Sequence, residues 1–375
     1  MENDALRRRA SGYLPLAVAA LSVVIGFGTA LSSFGMMEAY PPVFAALYVM
    51  ACFLASFFIQ TVLHELGHLV CGLFSGYRFI SFRVGKLMLL REKGRFVVRI
   101  FTISGTGGQC LMQPPAEIER DTPYRFYLLG GCLSNLSFSA LFFALSSKFS
   151  SPTASVLFLA LAAAGLITVL MNLIPMNVGG VANDGLNTIL LGKSADVRRA
   201  FRLQLYANGW IASGKRIGEL PEEWFPLPEG EALQNPLTCT IGVLRYDRQF
   251  DRHDFAGARE TCEYMLRNGR GLLEVHRNEL SCELLFLKIL GGCTKAEADR
   301  MLTPDLQKYI RTTGSYVSRK RLFYAYELLV NRNFASAAGA LRAFEETAKR
   351  YPYASDVENE REIVALLRET AGESR

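Results

Sequence analysis

Charged residues are scarce in the first half of this chain. Residues 1–193 hold 14 Lys and Arg and 9 Asp and Glu, whereas residues 194–375 hold 27 and 26. No Lys or Arg occurs between Ala10 and Tyr77. This distribution excludes an entirely soluble enzyme and a disordered chain, and only the second half has the charge content of a soluble domain. The net charge of +6 is too small to indicate a nucleic-acid partner.

Regularly spaced cysteines are also lacking. The eight cysteines are scattered, and no Cys-x-x-Cys occurs. Several lie inside apolar runs, where cysteine usually acts as a small buried hydrophobic residue. We therefore expect neither a disulfide framework nor a cysteine-bound metal ion.

Four apolar runs predict transmembrane helices. Each has the roughly 20 residues that are needed to cross about 30 Å of hydrocarbon. The predicted spans are about 13–33, 43–74, 126–145 and 154–176. The sequence thus predicts a membrane domain over 1–193 and a cytoplasmic helical domain over 194–375.

Basic residues predict the orientation of these helices. Arg7, Arg8 and Arg9 precede the first run, and about nine basic residues lie in the 75–125 loop. The positive-inside rule then places this loop and both termini in the cytoplasm of a multi-pass protein of the cell membrane. The second and fourth helices consequently run in the same direction, from outside to inside.

The 75–125 loop carries a signal for β-structure. Apolar runs at 78–90 and 95–104 flank Glu92-Lys93-Gly94, which predicts a small β-hairpin region at the membrane. The fold class is therefore an all-α polytopic membrane protein with this β-hairpin region and a C-terminal α-helical domain.

The C-terminal domain contains two similar segments, 254–258 and 333–337, each with an aromatic residue followed by small residues. They resemble tetratricopeptide helical hairpins, although their offset of 79 residues is not a multiple of the usual 34. An irregular helical domain remains the alternative. Ser194 is predicted to cap a helix, and Thr294 and Ser355, each followed three residues later by Glu, predict capping boxes.

The chemistry is carried by His64-Glu65-Leu66-Gly67-His68 in the second span. On a helix, residues four apart share one face, so both imidazoles can bind one zinc ion. Glu65 can accept a proton from a water molecule that the zinc activates and return it to a leaving amine. Ionisable groups within a membrane span are costly and usually functional. The alternative is a pair of histidines near the interface with an unrelated glutamate.

Topology indicates Asp184 as a third ligand. His64 and Asn172 each lie about 20 residues along helices of the same direction, so at similar depth, about 30 Å from the outer surface. After Asn172-Leu173-Ile174-Pro175 the chain breaks and reaches Asn183-Asp184-Gly185. Asp184 is the carboxylate that this segment could bring to the histidines. The alternative is that Asn183-Asp184-Gly185 forms a turn or a helix cap.

These residues resemble the site-2 protease family of intramembrane zinc metalloproteases over about residues 44–190. The family pairs His-Glu-x-x-His in one span with Asn-x-x-Pro…Asp-Gly in a later one. The resemblance implies that His64, His68 and Asp184 bind Zn²⁺ and that Glu65 is the catalytic base. It also implies hydrolysis of a peptide bond in or near a transmembrane segment of a substrate, with the β-region helping to hold an extended substrate.

Two departures from the family pattern are present. Cys132 stands where the family often has proline in Gly-Pro-x-x-Asn, between Gly131 and Asn135. The stretch from Pro175 to Asp184 is longer than in many members and includes Gly179-Gly180.

The oxyanion of such a reaction needs a hydrogen-bond donor besides zinc. Asn172 is the first candidate and Asn135 the second, and the alternative for both is helix packing, because membrane asparagines often bridge neighbouring spans.

The function predicted from these residues is an intramembrane zinc endopeptidase. Its partners are a transmembrane protein or peptide substrate, the lipid bilayer and a protein bound by the helical domain. The alternative is a membrane scaffold or receptor that acts through its helical domain and has a non-catalytic metal site. A transporter is less consistent with four spans that lack inverted repeats.

Overall fold

A computed structural model describes residues 2–92, 95–101, 107–115, 123–178, 181–370 and 372. For residues 2–12, 92, 178 and 181 it describes the backbone only. The predicted turn residues Lys93-Gly94 and the pair Gly179-Gly180 lie outside the described residues. The chain divides into two compact units. The first comprises Met1–Val84, Gly107–Met112 and Thr122–Lys193, and the second comprises Gly85–Thr106, Gln113–Asp121 and Ser194–Arg375.

Four long helices form most of the first unit. They are α1 (Glu2–Met36), α2 (Pro42–Phe74), α3 (Arg125–Ser146) and α4 (Pro152–Leu173), and a shorter α5 (Asp184–Lys193) follows. Each of these four helices has the length and apolar composition needed to cross a membrane. In α1 the segment that meets both conditions is Tyr13–Met36. The expectation of four such helices is confirmed, whereas their orientation and the side on which the termini lie stay predictions.

Helix α4 ends at Leu173, three residues before the predicted end of the 154–176 span. Ile174 is extended, with φ −73° and ψ 121°. A residue that precedes proline is disfavoured in the α region, and Pro175 has no N–H to continue the helix. The chain therefore leaves the helix early and forms the short strand pair Asn177–Val178 with Val181–Ala182 before α5.

Helices α2 and α3 cross with their backbones almost in contact. A Cβ atom added to Gly67 would lie 2.2 Å from the carbonyl oxygen of Gly130, and one added to Gly130 would lie 2.5 Å from that of Gly67. The Ser134 hydroxyl donates a hydrogen bond to the carbonyl oxygen of Leu63 at 2.7 Å across the same crossing. Small residues permit this approach in apolar bundles. The crossing brings α3 directly against the turn of α2 that carries the histidines.

The β-structure consists of β1 (Arg78–Val84), β2 (Leu87–Glu92), β3 (Arg95–Ile100) and β4 (Gly108–Gln113). In the first unit, β1 neighbours β4. In the second unit, β2 and β3 pair antiparallel, Leu87 opposite Ile100. The prediction of a hairpin is thus confirmed. The predicted run 78–90 is two strands rather than one, because the chain turns at Gly85, whose φ of 58° suits glycine.

One face of the β2–β3 hairpin packs into the second unit. Met88 and Leu90 are buried, and with Phe101 they contact a cluster of tyrosines: Tyr316, Tyr351 and Tyr353. The opposite face exposes large apolar side chains: Leu87, Leu89, Phe96, Val98 and Ile100. Alternation along the strands produces these two faces.

The remainder of the second unit is helical, as expected. Its helices are α6 (Ala195–Ala212), α7 (Pro236–Asp251), α8 (Phe255–Asn268), α9 (Glu274–Leu290), α10 (Lys295–Met301), α11 (Pro304–Thr312), α12 (Val317–Ala325), α13 (Phe334–Ala348) and α14 (Ala354–Thr370). Most of its buried apolar side chains belong to one core cluster that runs from α7 to α14.

The two similar segments of this unit form matching turns. His253 and Arg332 have positive φ values of 60° and 52°. The next residues, Asp254 and Asn333, each cap a helix by accepting a hydrogen bond from the backbone N–H three residues later, at 3.0 and 3.1 Å. The resemblance to tetratricopeptide hairpins stays a prediction.

The predicted helix caps have mixed outcomes. Ser194 caps α6 as predicted, and Thr294 forms the predicted capping box with Glu297. The box predicted at Ser355 is wrong. Helix α14 begins one residue earlier, so Ser355 lies within its first turn and its hydroxyl donates to the carbonyl oxygen of Ile211.

Replacing Gly130 by valine should separate α2 from α3. We expect Gly130→Val to lower the free energy of unfolding by at least about 2 kcal/mol, because the added atoms meet backbone that cannot move aside. Thermal unfolding in detergent micelles, followed by circular dichroism, measures this. Gly26→Val in α1 is the control, because a Cβ atom there meets nothing within 4 Å. Equal stability of the two variants would contradict the close crossing.

Candidate metal centre

Helix α2 presents a buried polar stripe. Gln60, His64 and His68 recur at intervals of four residues, close to one helical turn, and are 0%, 7% and 8% exposed. Glu65 is also buried. Because ionisable groups are expensive inside an apolar bundle, such a stripe indicates a functional site.

Three atoms of the predicted ligands converge on one point. The Nε2 atoms of His64 and His68 lie 3.1 Å apart. The Oδ2 atom of Asp184 lies 3.1 Å from His64 Nε2 and 3.3 Å from His68 Nε2. The structure therefore brings together one turn of α2 and the first residue of α5, which are 120 residues apart in the chain.

The outer nitrogens of both rings contact groups that can only accept a hydrogen bond. His64 Nδ1 lies 2.6 Å from Asn135 Oδ1, and His68 Nδ1 lies 2.9 Å from the carbonyl oxygen of Tyr127. Each neutral ring thus carries its proton on Nδ1. In that form the two Nε2 lone pairs face each other and a carboxylate oxygen. A cation among the three atoms would compensate their repulsion.

The spacing of these atoms fits one zinc ion. Tetrahedral zinc with bonds of about 2.0–2.1 Å holds its ligand atoms about 3.3 Å apart. Zinc accepts neutral imidazole nitrogen and carboxylate oxygen, and catalytic sites usually have three protein ligands and one open position. Histidines that bind a metal commonly donate their other N–H to a carbonyl group, as His64 and His68 do here.

Asn183 positions the carboxylate. It is 9% exposed, and among the described residues its side-chain amide forms hydrogen bonds only to backbone groups. Its Oδ1 accepts from the N–H groups of Met176 and Leu186, and its Nδ2 donates to the carbonyl oxygens of Met171 and Ile174. Asn183 therefore ties the end of α4 to the start of α5. The two alternatives for this segment are compatible, because Asn183 caps α5 while Asp184 faces the histidines.

A buried amide chain fixes the His64 ring from behind. Asn135, whose oxygen accepts from His64, donates through Nδ2 to the backbone oxygen and the side-chain oxygen of Gln60, at 2.8 and 2.7 Å. Gln60 in turn donates to the carbonyl oxygen of Leu161 in α4 at 2.8 Å. Sequence reasoning missed Gln60, although its position four residues before His64 on the same face was a usable signal.

Glycine permits two further close contacts at the centre. A Cβ atom on Gly131 would lie 2.4 Å from the His64 ring, so α3 covers one face of that imidazole. A Cβ atom on Gly185 would lie 2.0 Å from the carbonyl oxygen of Leu173, so α5 begins directly against the end of α4. Gly131 thus makes room for the His64 ring, and Asn135 accepts a hydrogen bond from it. Nothing in these contacts requires proline at position 132, where Cys132 stands.

Glu65 lies against strand β4. A Cβ atom on Gly108 would lie 2.4 Å from Glu65 Oε1, and the backbone N–H of Cys110 donates a hydrogen bond to the Glu65 carboxylate. Tyr127, whose carbonyl oxygen holds His68, donates through its hydroxyl to the carbonyl oxygen of Cys110 at 2.9 Å. Cys110 of β4 therefore contacts both Glu65, the candidate base, and Tyr127, the residue whose carbonyl oxygen accepts from His68.

The two asparagines proposed as oxyanion donors are differently engaged. Asn135 uses its amide nitrogen on Gln60, so it positions His64. Asn172 donates through Nδ2 to the carbonyl oxygen of Thr168, one turn earlier in α4, at 2.9 Å. A catalytic role for Asn172 stays a prediction.

Comparison with known proteins does not add an assignment. No family model, curated protein or solved structure matches this chain. The geometry of the site is therefore the basis for assigning a function.

Removing the Asn135 amide should weaken metal binding. We expect Asn135→Leu to lower zinc affinity by about 10–100-fold, because His64 loses the partner that fixes its tautomer and ring orientation. Competition with a chromophoric chelator measures the affinity. Asn172→Leu is the matched control, since its amide bonds only within α4. Undiminished affinity in Asn135→Leu would remove this amide from the support of the metal site.

Proposed function

We propose that this chain is an intramembrane zinc endopeptidase that hydrolyses peptide bonds in or near transmembrane segments of membrane-protein substrates. The observation that carries the proposal is the convergence of the His64, His68 and Asp184 atoms, whose spacing suits one shared cation. The site lies among helices that are apolar enough to cross a membrane.

Glu65 is the residue to which we assign proton transfer. When bound, zinc would supply a Lewis acid that polarises the scissile carbonyl group and promotes deprotonation of water. The Glu65 carboxylate would accept the proton of the attacking water and later deliver it to the nitrogen of the leaving amine. Its contacts with Gly108 and Cys110 hold the carboxylate in place beside the histidines.

Strand β4 offers a way to hold the substrate. It stands at the edge of the described sheet, next to β1, and its Gly108–Cys110 stretch passes Glu65. An extended peptide can add to such an edge through main-chain hydrogen bonds. A transmembrane helix hides its carbonyl groups in hydrogen bonds, so the substrate must unwind locally before cleavage. Strand addition would stabilise the unwound segment.

The arrangement supports the resemblance to site-2 proteases, whose ligand and base pattern these residues match. We extend the proposal to a multi-pass protein of the cell membrane with both termini in the cytoplasm, where the helical unit binds a protein partner. The competing proposal is a scaffold whose metal site is non-catalytic. Glu65 separates the two, because a metal site without catalysis needs no proton acceptor.

The test of catalysis is Glu65→Gln, which preserves shape and an accepting oxygen while removing the base. We expect zinc to remain bound and cleavage of substrate to fall by at least about 10²-fold. Mass spectrometry of membrane peptides that accumulate with the variant measures cleavage and identifies substrates. Glu38→Gln is the control, because Glu38 lies in the turn between α1 and α2. Zinc binding with an unchanged peptide profile would favour the scaffold.

Asn172 can be tested through the same assay. If its amide donates to the oxyanion, Asn172→Leu should lower the cleavage rate by about 10²–10³-fold with zinc affinity unchanged. Rates and affinities near those of the parent chain would show that the bond to Thr168 is its whole role.

A further inference from the structure

The helices of the second unit surround a cavity of about 420 Å³. Its wall is formed mainly by α6, α7, α9, α12 and α14, whereas α8 and α13 contribute no described lining residue. A cavity of this size is in the range of sites that hold small molecules or peptide side chains. It is far larger than a single ion requires.

The cavity wall is strongly acidic. Six carboxylates line it: Asp247, Asp251, Glu279, Glu283, Asp356 and Glu360. Two cationic residues, Arg216 and Arg321, line it as well. The wall therefore carries an excess of negative charge even though the whole chain is positive.

Four of the six carboxylates are paired with arginine. Arg321 contacts Glu283 and Glu360, both at 2.5 Å, Arg319 contacts Glu279, and Arg216 contacts Asp251 at 3.0 Å. These pairs are largely buried, and such pairs are stable only when both partners are present. The paired arginines therefore compensate the charge of Asp251, Glu279, Glu283 and Glu360.

The other two carboxylates of the wall, Asp247 and Asp356, are not paired with arginine. Within the described part of the chain, neither side chain makes a hydrogen bond or an ion pair. Burial raises the pKa of Asp356 to about 7, with the negative charges of Glu360 and Asp251 adding to the effect. Burial also raises the pKa of Asp247 well above its ordinary value, and the charges that act on it are again negative. The fold thus places two partly buried carboxylates in the cavity wall, and neither pairs with Arg216 or Arg321.

His276 provides a second, independent sign of a missing ligand. It lines the same cavity from α9, and its Nδ1 atom is buried without a hydrogen-bond partner among the described residues. Burial lowers the pKa of His276 to about 4, so the ring is neutral near pH 7 and does not balance the carboxylates. A buried polar atom without a partner is costly, so this wall holds an unsatisfied group besides the two carboxylates.

We propose that this cavity binds an organic cation with two positively charged groups, ammonium or guanidinium, which pair with Asp247 and Asp356. Tyr246 and Phe250 also line the cavity, and aromatic rings attract such groups. Clefts between packed helices commonly hold small ligands. The proposal is independent of the metal centre and of proteolysis.

Two probes distinguish a free ligand from a peptide side-chain pair. The 375-residue chain in detergent micelles is titrated calorimetrically with agmatine and with the dipeptide acetyl-lysyl-arginine amide. We expect at least one to bind at one site per chain with Kd below about 1 mM. Tighter binding of agmatine identifies a free cation as the ligand, and tighter binding of the dipeptide identifies a basic peptide. No saturable binding of either overturns the proposal, as does equal binding of MgCl₂.

Single amide substitutions test the two carboxylates. We expect Asp247→Asn and Asp356→Asn each to weaken binding at least about tenfold, because each removes one charge-assisted contact. Glu358→Gln is the control on α14, since Glu358 is exposed. Affinity that is unchanged in both aspartate variants would overturn the assignment.

Thermal stability gives a readout that misfolding cannot imitate. Without ligand, each aspartate variant should melt at a higher temperature than the parent, because an unpaired carboxylate that neighbouring acids repel is removed. With ligand, the parent should gain stability and the variants should gain less. Variants that melt lower without ligand would show that these carboxylates are satisfied, and would overturn the proposal.

Proton competition supplies a further check. Asp356 faces Glu360 on its own helix, Asp247 and Asp251 of α7, and the arginine-paired acids and neutral His276 of the same wall. Because the pKa of Asp356 is about 7, cation affinity should rise several-fold from pH 6 to pH 8 as its proton is lost. Asp356→Asn should reduce this rise. A pH-independent affinity would contradict the role of Asp356.

Discussion

The first unit is organised around three lone pairs that meet inside an apolar bundle. His64, His68 and Asp184 place two nitrogens and one oxygen within 3.3 Å of one another, and the Nδ1 atom of each ring contacts a carbonyl-type oxygen that accepts a hydrogen bond. In a medium of low dielectric, such a cluster is unfavourable unless a cation compensates it. The chemistry that we assign to Glu65 depends on that compensation, since the same cation would polarise the bond to be broken.

The bundle around these atoms is built to hold them at close range. Gly67 and Gly130 let two helices approach to backbone contact, Gly131 makes room for the His64 ring, and Gly185 lets α5 begin against the end of α4. The Gln60–Asn135 amide chain then connects the His64 ring of α2 to α3 and α4. Positioning by such buried polar contacts matters because a small displacement of a ligand or base costs much of the catalytic rate.

The second unit uses buried charge in a different manner. Its arginines pair with most of the acids that line the cavity, while Asp247 and Asp356 make no hydrogen bond or ion pair with any described residue. Its cavity is lined mainly by residues of α6, α7, α9, α12 and α14. Capping at Asp254 and Asn333 follows from local sequence. The balance of charges in the cavity arises only because residues from α7, α9, α12 and α14 meet there.

Sequence alone determined the features that depend on local composition. Long runs without charge specify four apolar helices, Pro175 ends the last of them, and His64 and His68 share a face because they are four residues apart. Asp184 could be proposed as a partner but not placed, because its approach depends on the amide of Asn183 and on the glycine contacts. Gln60, the engagement of Asn172 with Thr168, and the unpaired state of Asp247 and Asp356 were decided only by tertiary structure. The reason is physical: a hydrogen bond or a charge balance depends on which distant groups the folded chain brings within a few ångströms.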